Sequence, residues 1–122
     1  MREGKESMTS EAATARARLL HQELQRFIEI VAPQMHPECI VLFGSVAADQ
    51  VREWSDLDLV VIADTTLPFY ERIKTVLRSV RPMVGMDVLV YTPTEWEAMQ
   101  RERPFIQEEI LSKGKVVYAR AR

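Results

Sequence analysis

The sequence contains little cysteine and no long apolar run. Cys39 is the single cysteine among 122 residues, so a disulfide within the chain is excluded, and we expect a small buried apolar residue in a reducing compartment. The opening stretch MREGKESMTS lacks the apolar core of a signal peptide, and no apolar run is long enough to span a membrane. These features predict a cytoplasmic protein without a membrane segment.

Neither sign of charge is in clear excess. Lysine and arginine total 16 against 18 aspartates and glutamates, for a net charge of -2. Strong nucleic-acid binding is therefore not expected, although a local basic patch stays open. Hydrophobic residues make up 47% of the chain, too many for a disordered protein. The length fits one domain over residues 10–122, with a flexible polar tail over residues 1–9.

Helical patterns occur in four segments. They are expected over residues 10–32, 68–80, 93–103 and 104–112. Pro33 and Pro37 should end the first helix. Thr92 and Glu95 have the spacing of a capping box at the start of the third helix, and Gly114 should end the fourth in the left-handed conformation.

Short apolar runs predict four strands. They cover residues 39–43, 57–63, 86–91 and 115–119. The first two are continuous apolar runs, which is typical of strands covered on both faces, and the last is expected at an edge of the sheet. Strands that alternate with helices predict a sheet with helices packed on it, an α/β or α+β fold.

Three aspartates interrupt the second and third predicted strands. Asp56 and Asp58 point the same way if the strand begins by Asp56, and Asp87 would stand beside them if the two strands are neighbours. Adjacent carboxylates repel each other unless a cation lies between them. Three convergent carboxylates suit two Mg²⁺ ions. Taken singly, an Asp-x-Asp pattern is more often a turn or a helix cap, and Asp87 could pair with Arg81.

A Gly-Ser pair at residues 44–45 follows the first predicted strand and opens a short polar segment. This placement offers backbone N–H groups and a hydroxyl to an anion, although an ordinary tight turn with Ser45 as a helix cap has the same sequence. Magnesium and a nucleoside triphosphate require both a phosphate-holding turn and an acidic cluster. The combination therefore predicts a nucleotide site.

Together these residues resemble the minimal nucleotidyltransferases of the polymerase-beta-like superfamily. The family motif is Gly-Ser, a short helix, then Ser-Asp-x-Asp-Leu leading into a strand, with a third acid on a later strand. Here Gly-Ser at 44–45 precedes SDLDL at 55–59 with the family's spacing, and Asp87 in GMDVLVY matches the third acid. The resemblance covers about residues 15–120 and implies a mixed β-sheet flanked by helices.

The resemblance implies a role for each motif residue. The implied nucleotide-binding residues are Gly44, Ser45 and Ser55, and the implied metal-binding and catalytic residues are Asp56, Asp58 and Asp87. Asp87 would also help to deprotonate a hydroxyl that attacks the α-phosphate, so that pyrophosphate leaves. ATP is the implied substrate, and Mg²⁺, as two ions, is the implied cofactor.

The family also implies a partner. Many such short chains resemble the antitoxin half of a toxin–antitoxin module whose other half is a helical HEPN-domain protein, and some transfer AMP to a tyrosine of that partner. We therefore expect a magnesium-dependent transferase that AMPylates a hydroxyl of such a partner, with self-association left open. The alternative is a binding module of the same fold that neutralises the helical partner by contact and transfers little or nothing.

The loop after the Gly-Ser pair departs from the family pattern. The family commonly has one or two basic residues there and a glycine five positions beyond the first, whereas this chain has Val46, Ala48 and Asp49. Asp49 would weaken triphosphate binding unless Arg52 offsets it, and this favours the binding module. Trp54 is expected to pack beneath the loop, with stacking on a base or a partner as the alternative.

Overall fold

The computed structural model of the protein describes residues 2–121, with side chains from residue 11 onward. Its elements are α1 (Arg2–Met35), β1 (Cys39–Phe43), α2 (Gly44–Ala47), β2 (Leu57–Ile62), α3 (Phe69–Val80), β3 (Met86–Tyr91), α4 (Pro93–Glu102), a π-helix (Ile106–Leu111) and β4 (Lys115–Ala119). Within this described part, no helix combines the length and the apolar character needed to cross a bilayer.

The four strands form one mixed sheet in the order β3-β2-β1-β4. β1 is antiparallel to both β2 and β4, and β2 is parallel to β3. The expected helix-flanked sheet and the edge position of β4 are therefore confirmed. Because β2 and β3 are parallel neighbours, Asp58 lies opposite Asp87, and Phe43 at the end of β1 lies opposite Asp58 on the other side.

α1 and α3 cover one face of the sheet. Leu20, Phe27 and Val31 of α1 are fully buried in the same cluster as Leu57 and Leu59 of β2. Burying one such large side chain stabilises the fold by about 1.5–3 kcal/mol. This cluster confirms the apolar stripe that the sequence predicts for the first helix.

α4 and the π-helix cover the opposite face only in part. The buried residues on this side are Val41, Val60, Ile62, Trp96, Ile106 and Ile110. Cys39 is half-buried there rather than fully buried, and burial raises the pKa of its thiol. Toward the start of β2 and β3, the same face carries Phe43, Asp58 and Leu89, which are half-buried, and Asp87, which is exposed. The helical cover therefore ends where the acidic residues lie.

An ion pair that the sequence does not reveal holds the far end of β3. Arg72 of α3 is buried, donates two hydrogen bonds to the Glu95 carboxylate at 2.7 and 3.1 Å, and donates a third to the carbonyl oxygen of Val90. The Arg72 hydrogen bond is the main reason that the pKa of Glu95 is lowered. The pair therefore ties α3 and α4 to β3.

A second ion pair fixes the segment that enters β3. Glu23 of α1 is buried, and its carboxylate accepts from the Arg26 guanidinium at 2.8 and 2.9 Å and from the Met83 N–H at 2.7 Å. The Arg26 hydrogen bond lowers the pKa of Glu23. The strand that carries Asp87 is thus held near both ends.

α1 passes through a proline before it ends. The helix continues through Pro33 to Met35, so the prediction that Pro33 ends it is wrong. A proline in the last turn removes only one helical hydrogen bond. The helix stops instead at His36, which adopts the left-handed conformation and donates its N–H to the Ala32 carbonyl at 3.0 Å.

α1 begins at Arg2, within the segment for which the sequence predicts a tail. Residue 1 and the side chains of residues 2–10 lie outside the described part of the chain. The flexible tail over residues 1–9 therefore stays a prediction.

The start of α4 follows the sequence closely. The Thr92 hydroxyl accepts from the Glu95 N–H at 3.2 Å, and the Glu95 carboxylate accepts from the Thr92 N–H at 2.9 Å. These two bonds complete the predicted capping box, with Pro93 in the first turn.

Gly114 serves a different purpose from the one predicted. It lies outside the left-handed region, so the prediction of a left-handed helix end at Gly114 is wrong. A Cβ at this position would overlap the Ile110 carbonyl and lie 3.0 Å from the Leu42 carbonyl. Glycine is needed because the turn after the π-helix packs tightly against the end of β1.

Candidate active site

Asp58 and Asp87 lie side by side on β2 and β3. They are register partners, and their carboxyl groups are close enough to share a hydrogen bond. Burial first, and then the charge and hydrogen bond of Asp87, raise the pKa of Asp58 to about 6. The expected convergence of these two acids is confirmed. Held together in this way, they favour a bound proton or a bound cation.

Asp56 stands slightly apart from this pair. β2 begins at Leu57, one residue after Asp56, and the Asp56 carboxylate is directed at Gly85, where a Cβ would overlap it. The Asp56 side chain is 51% exposed, and its Oδ1 lies 3.5 Å from Nη2 of Arg16. This contact is long for an ion pair, so Asp56 is only loosely engaged.

The carboxylates of Asp58 and Asp87 fit a hard divalent cation. Carboxylate oxygens are preferred ligands of Mg²⁺, and a cation would offset both the burial and the repulsion from Asp87 that raise the pKa of Asp58. Among the side chains of residues 11–121, no three His, Cys, Asp or Glu residues come close enough to form a metal-binding group. The assignment of all three acids to metal binding therefore stays a prediction.

Gly44 brings the Gly-Ser turn into contact with the acidic pair. It follows β1 with a φ of 77°, and a Cβ at this position would overlap the Asp58 carboxylate. Both the backbone conformation and the lack of space require glycine. The Gly-Ser turn and the acidic pair are thus in direct contact.

Ser45 and Ser55 connect the two ends of the intervening loop. The Ser45 hydroxyl donates to the Ser55 hydroxyl at 3.0 Å, and the Ser55 hydroxyl also accepts from the Arg52 N–H at 2.8 Å. Ser55 is buried. Its hydroxyl therefore has two partners within the protein, which suits a role in shaping the loop.

Arg16 of α1 is a site residue that sequence reasoning missed. Its Nε donates to the Ser55 carbonyl at 2.8 Å, and its Nη2 faces Asp56. The two residues are separated by 39 positions, so no local pattern links them. Arg16 fixes the backbone immediately before Asp56.

Two cavities flank the acidic pair. The first, here called the β3 cleft, has a volume of about 430 Å³ and wraps around β3. Its lining includes Phe43, Asp58, Ile73, Leu77, Asp87 and Leu89. The second, here called the Ser45 pocket, has a volume of about 280 Å³ and is lined by Gly44, Ser45, Ala48, Gln50, Glu109 and Lys113.

The loop after the Gly-Ser pair differs from the expectation at Trp54. Its side chain is 69% exposed, so the prediction that it packs beneath the loop is wrong. Ser55 takes the buried position instead, and the Arg52 guanidinium lies 6.0 Å from the centroid of the Trp54 ring. Asp49 is exposed in the left-handed conformation, while its neighbours Ala48 and Gln50 line the Ser45 pocket.

The chain is similar to nucleotidyltransferases in sequence and in fold. Residues 25–122 match the sequence model of the family described as Polymerase beta, Nucleotidyltransferase. The structure of a presumed nucleotidyltransferase from Sulfolobus solfataricus matches with a TM-score of 0.64 and 18% identity, over 89% of this chain and 88% of that chain. A chain of a toxin–antitoxin structure with AMP-PNP matches with a TM-score of 0.49 and 19% identity, over 78% and 72%. A search of curated proteins found no match.

The structural likeness at these identities bears on the fold alone. It agrees with the mixed four-stranded sheet and its flanking helices, so the expected polymerase-beta-like nucleotidyltransferase fold is confirmed. The family match covers most of the chain and includes both strands of the acidic pair. The chain belongs to the polymerase beta nucleotidyltransferase family.

Proposed function

We propose that the protein is a magnesium-dependent nucleotidyltransferase that transfers AMP from ATP to a hydroxyl group of a partner protein. Family membership supports transferase chemistry. The observation that carries the proposal is the contact between Asp58 and Asp87 beside Gly44. It joins the acidic and the Gly-Ser halves of the motif at one end of the sheet.

The proposed step is a displacement at the α-phosphate. The acceptor oxygen forms a bond to the α-phosphorus while the bond to the bridging oxygen of the β-phosphate breaks, and pyrophosphate leaves. The hydroxyl proton passes to Asp87, which is exposed beside Asp58. When bound, magnesium neutralises the carboxylates and the phosphates. Gly44 and Ser45 hold the triphosphate, so positioning and charge stabilisation supply much of the rate.

The proposed site includes three further residues with different roles, namely Asp56, Ser55 and Arg16. Asp56 is proposed as a further metal ligand, because its half-exposed carboxylate is held only by the long contact to Arg16. Ser55 is proposed to act on the nucleotide through the Ser45 hydroxyl that it contacts. Arg16 is a positioning residue, since it holds the Ser55 carbonyl next to Asp56.

The proposed acceptor is a helical HEPN-domain protein, with this chain as the antitoxin of such a module in the cytoplasm. The β3 cleft supports a protein acceptor, because its lining combines the apolar residues Ile73, Leu77 and Leu89 with Asp58 and Asp87. A side chain that carries a hydroxyl next to an apolar body suits such a cleft.

A binding module of the same fold is the second candidate. Trp54 and Met83 are 69% and 79% exposed, and Tyr70 is 75% exposed. Exposed aromatic and methionine side chains are typical of protein-contact surfaces. In this case the chain would neutralise the helical partner by contact and transfer little or nothing.

One labelling experiment separates the two candidates. The protein is incubated with ATP labelled on the α-phosphate, magnesium and the protein encoded by the neighbouring gene. We expect label on the neighbour, and we expect Asp58→Asn to lower the labelling rate at least about 100-fold, because it removes one carboxylate of the pair.

Asp64→Asn is the matched control, since Asp64 is an exposed aspartate just beyond the other end of β2 and should label normally. A stable complex that gains no label with any of the four nucleoside triphosphates would establish the binding module instead. Equal labelling by wild type and Asp58→Asn would contradict the assignment of the site.

A further inference from the structure

We propose that Lys113 binds the β- and γ-phosphates of the nucleotide in the Ser45 pocket. This inference rests on the proposed function and assigns a binding residue to the pyrophosphate end of its substrate. It also identifies a cation beside a turn whose own residues Val46 and Ala48 carry no charge.

The sheet order sets the direction of the nucleotide. Asp87 on β3, Asp58 on β2, Gly44 after β1 and Lys113 before β4 all lie at the same end of the sheet, in the spatial order β3-β2-β1-β4. Neighbouring strands lie about 4.8 Å apart, so this row extends about 14 Å. A displacement at phosphorus places the attacking and leaving oxygens roughly in line on opposite sides. With the acceptor in the β3 cleft, pyrophosphate leaves toward β1 and β4.

Tight packing brings Lys113 to this position. The Gly114 N–H donates to the Ile110 carbonyl at 2.9 Å, and Lys115 pairs with Leu42 across β4 and β1. The close approach of Gly114 to the Leu42 carbonyl leaves no room for a side chain there. The turn that carries Lys113 is therefore pressed against the last residues of β1, immediately before the Gly-Ser pair.

The Ser45 pocket has the character of a phosphate site. Its lining residues include Ser45, Gln50 and Lys113, which can donate hydrogen bonds to a phosphate, together with Glu109, whereas the β3 cleft has apolar walls beyond its two aspartates. Lys113 is the cation among the described residues that line the Ser45 pocket. A triphosphate carries its greatest charge at the β and γ positions, so this end of the nucleotide belongs with Lys113.

Glu109 pairs with Lys113 in the free protein and competes with a phosphate for its ammonium group. Nζ of Lys113 lies 3.0 Å from Oε2 of Glu109, and the two side chains are 61% and 44% exposed. An exposed i,i+4 ion pair is weak, so a phosphate can take over the ammonium group.

The test compares ATP with AMP, because only ATP has the phosphates that Lys113 is proposed to contact. Dissociation constants of both nucleotides are measured calorimetrically in magnesium buffer for wild type and Lys113→Met. We expect Lys113→Met to weaken ATP binding about tenfold and to leave AMP binding within about twofold. Lys113→Arg should restore most of the ATP affinity, and Glu109→Gln should tighten ATP binding because it frees the ammonium group.

Arg101→Met is the matched control. Arg101 is 65% exposed, forms an i,i+4 ion pair with Glu97 on α4, and lies outside the described lining of both cavities. Its replacement removes one positive charge and should leave both nucleotide affinities unchanged. A similar loss of ATP affinity in Arg101→Met and Lys113→Met would show that the loss comes from the change in net charge. That result would overturn the inference.

The remaining outcomes are distinct. If Lys113→Met binds ATP as wild type does, or loses ATP and AMP equally, Lys113 does not contact the β- and γ-phosphates, while the proposed function stands. If wild type binds neither nucleotide, both the inference and the proposed function fail. If circular dichroism shows that Lys113→Met is unfolded, the ATP affinities of Lys113→Arg and Glu109→Gln test the inference instead. Unchanged ATP affinity in Glu109→Gln would then count against the inference.

Discussion

The β3 cleft and the Ser45 pocket lie on opposite sides of one carboxylate pair and differ in chemistry. The lining of the cleft includes the apolar side chains Ile73 and Leu77 of α3, whereas the lining of the pocket includes the polar and charged residues Ser45, Gln50, Glu109 and Lys113. The difference follows from the sheet order, because α3 packs beside the edge strand β3 and a polar turn packs beside β1. Under the proposed function, the acceptor and the pyrophosphate would occupy separate sides of the site.

The largest effect is expected at Gly44, where the Gly-Ser turn contacts Asp58. Gly44→Ala places a Cβ against the Asp58 carboxylate at a φ of 77°, so we expect destabilisation of about 1–3 kcal/mol and at least about a 100-fold loss of labelling. Urea unfolding and the labelling assay measure the two effects. Asp58→Ala in the same chain should reduce the stability cost, and equal costs in both backgrounds would contradict the overlap.

A large effect on stability is expected from Glu95→Gln, at the end of β3 away from the acidic pair. It leaves the buried Arg72 guanidinium without its carboxylate, so we expect a loss of about 2–3 kcal/mol in the free energy of unfolding. The Arg72 hydrogen bond lowers the pKa of Glu95 from 4.5, so its stabilisation is present above pH 4.5 and disappears as the pH falls through the lowered pKa.

Urea unfolding at several pH values therefore checks both the size and the sign of the Glu95 effect. Glu97→Gln is the control, because its ion pair with Arg101 is exposed and should contribute less than about 0.5 kcal/mol. A difference between wild type and Glu95→Gln that grows toward pH 3 would refute the explanation.

At the acidic pair itself, we expect a smaller change in the free energy of unfolding, and this change is stabilising rather than destabilising. Asp58→Asn removes a carboxyl whose pKa is raised from 3.8 to about 6, so without metal it should stabilise the protein at pH 7 by about 1–2 kcal/mol after allowance for solvent screening. The favourable contribution of Asp58 is present below pH 3.8 and is lost as the pH rises through about 6.

Thermal unfolding between pH 4 and pH 8 checks this trend, and Asp64→Asn should follow wild type. Added magnesium should reverse the order at pH 7, because the metal stabilises a protein that keeps both carboxylates. No stabilisation of wild type by magnesium would argue against a metal at this pair.

The smallest effect is expected when a polar side chain replaces an apolar one in the β3 cleft. Ile73→Gln should raise the KM for the partner about fivefold and leave ATP affinity within about twofold, the reverse of the pattern proposed for Lys113. Labelling at several partner concentrations and calorimetry with ATP provide the measurements. Thr75→Gln, on the exposed side of α3, is the control. A change in ATP affinity alone would assign the cleft to the nucleotide.

Local patterns predicted part of this site, and contacts between distant segments completed it. The capping box was predictable because four consecutive residues, Thr92 to Glu95, decide it. The pairing of Asp58 with Asp87 was predictable once two buried strands were treated as neighbours. Arg16 and Lys113 approach the motif from distant segments of the chain, and no periodicity or spacing reports such contacts.

Errors in the sequence-based predictions have the same origin. Trp54 is apolar enough to be buried, but the short loop gives its buried position to Ser55. Gly114 follows a helix as a left-handed glycine would, but the approach of the Leu42 carbonyl is what demands a residue without a side chain.

The position of α1 has a consequence for how this chain could be shortened. The family match starts at residue 25, whereas Leu20, which is fully buried, and Arg16, which holds the Ser55 carbonyl, come earlier. A truncated protein that starts at residue 25 would keep every motif aspartate but expose the groove that Leu20 fills. We therefore expect the family segment by itself to be less stable than the full chain.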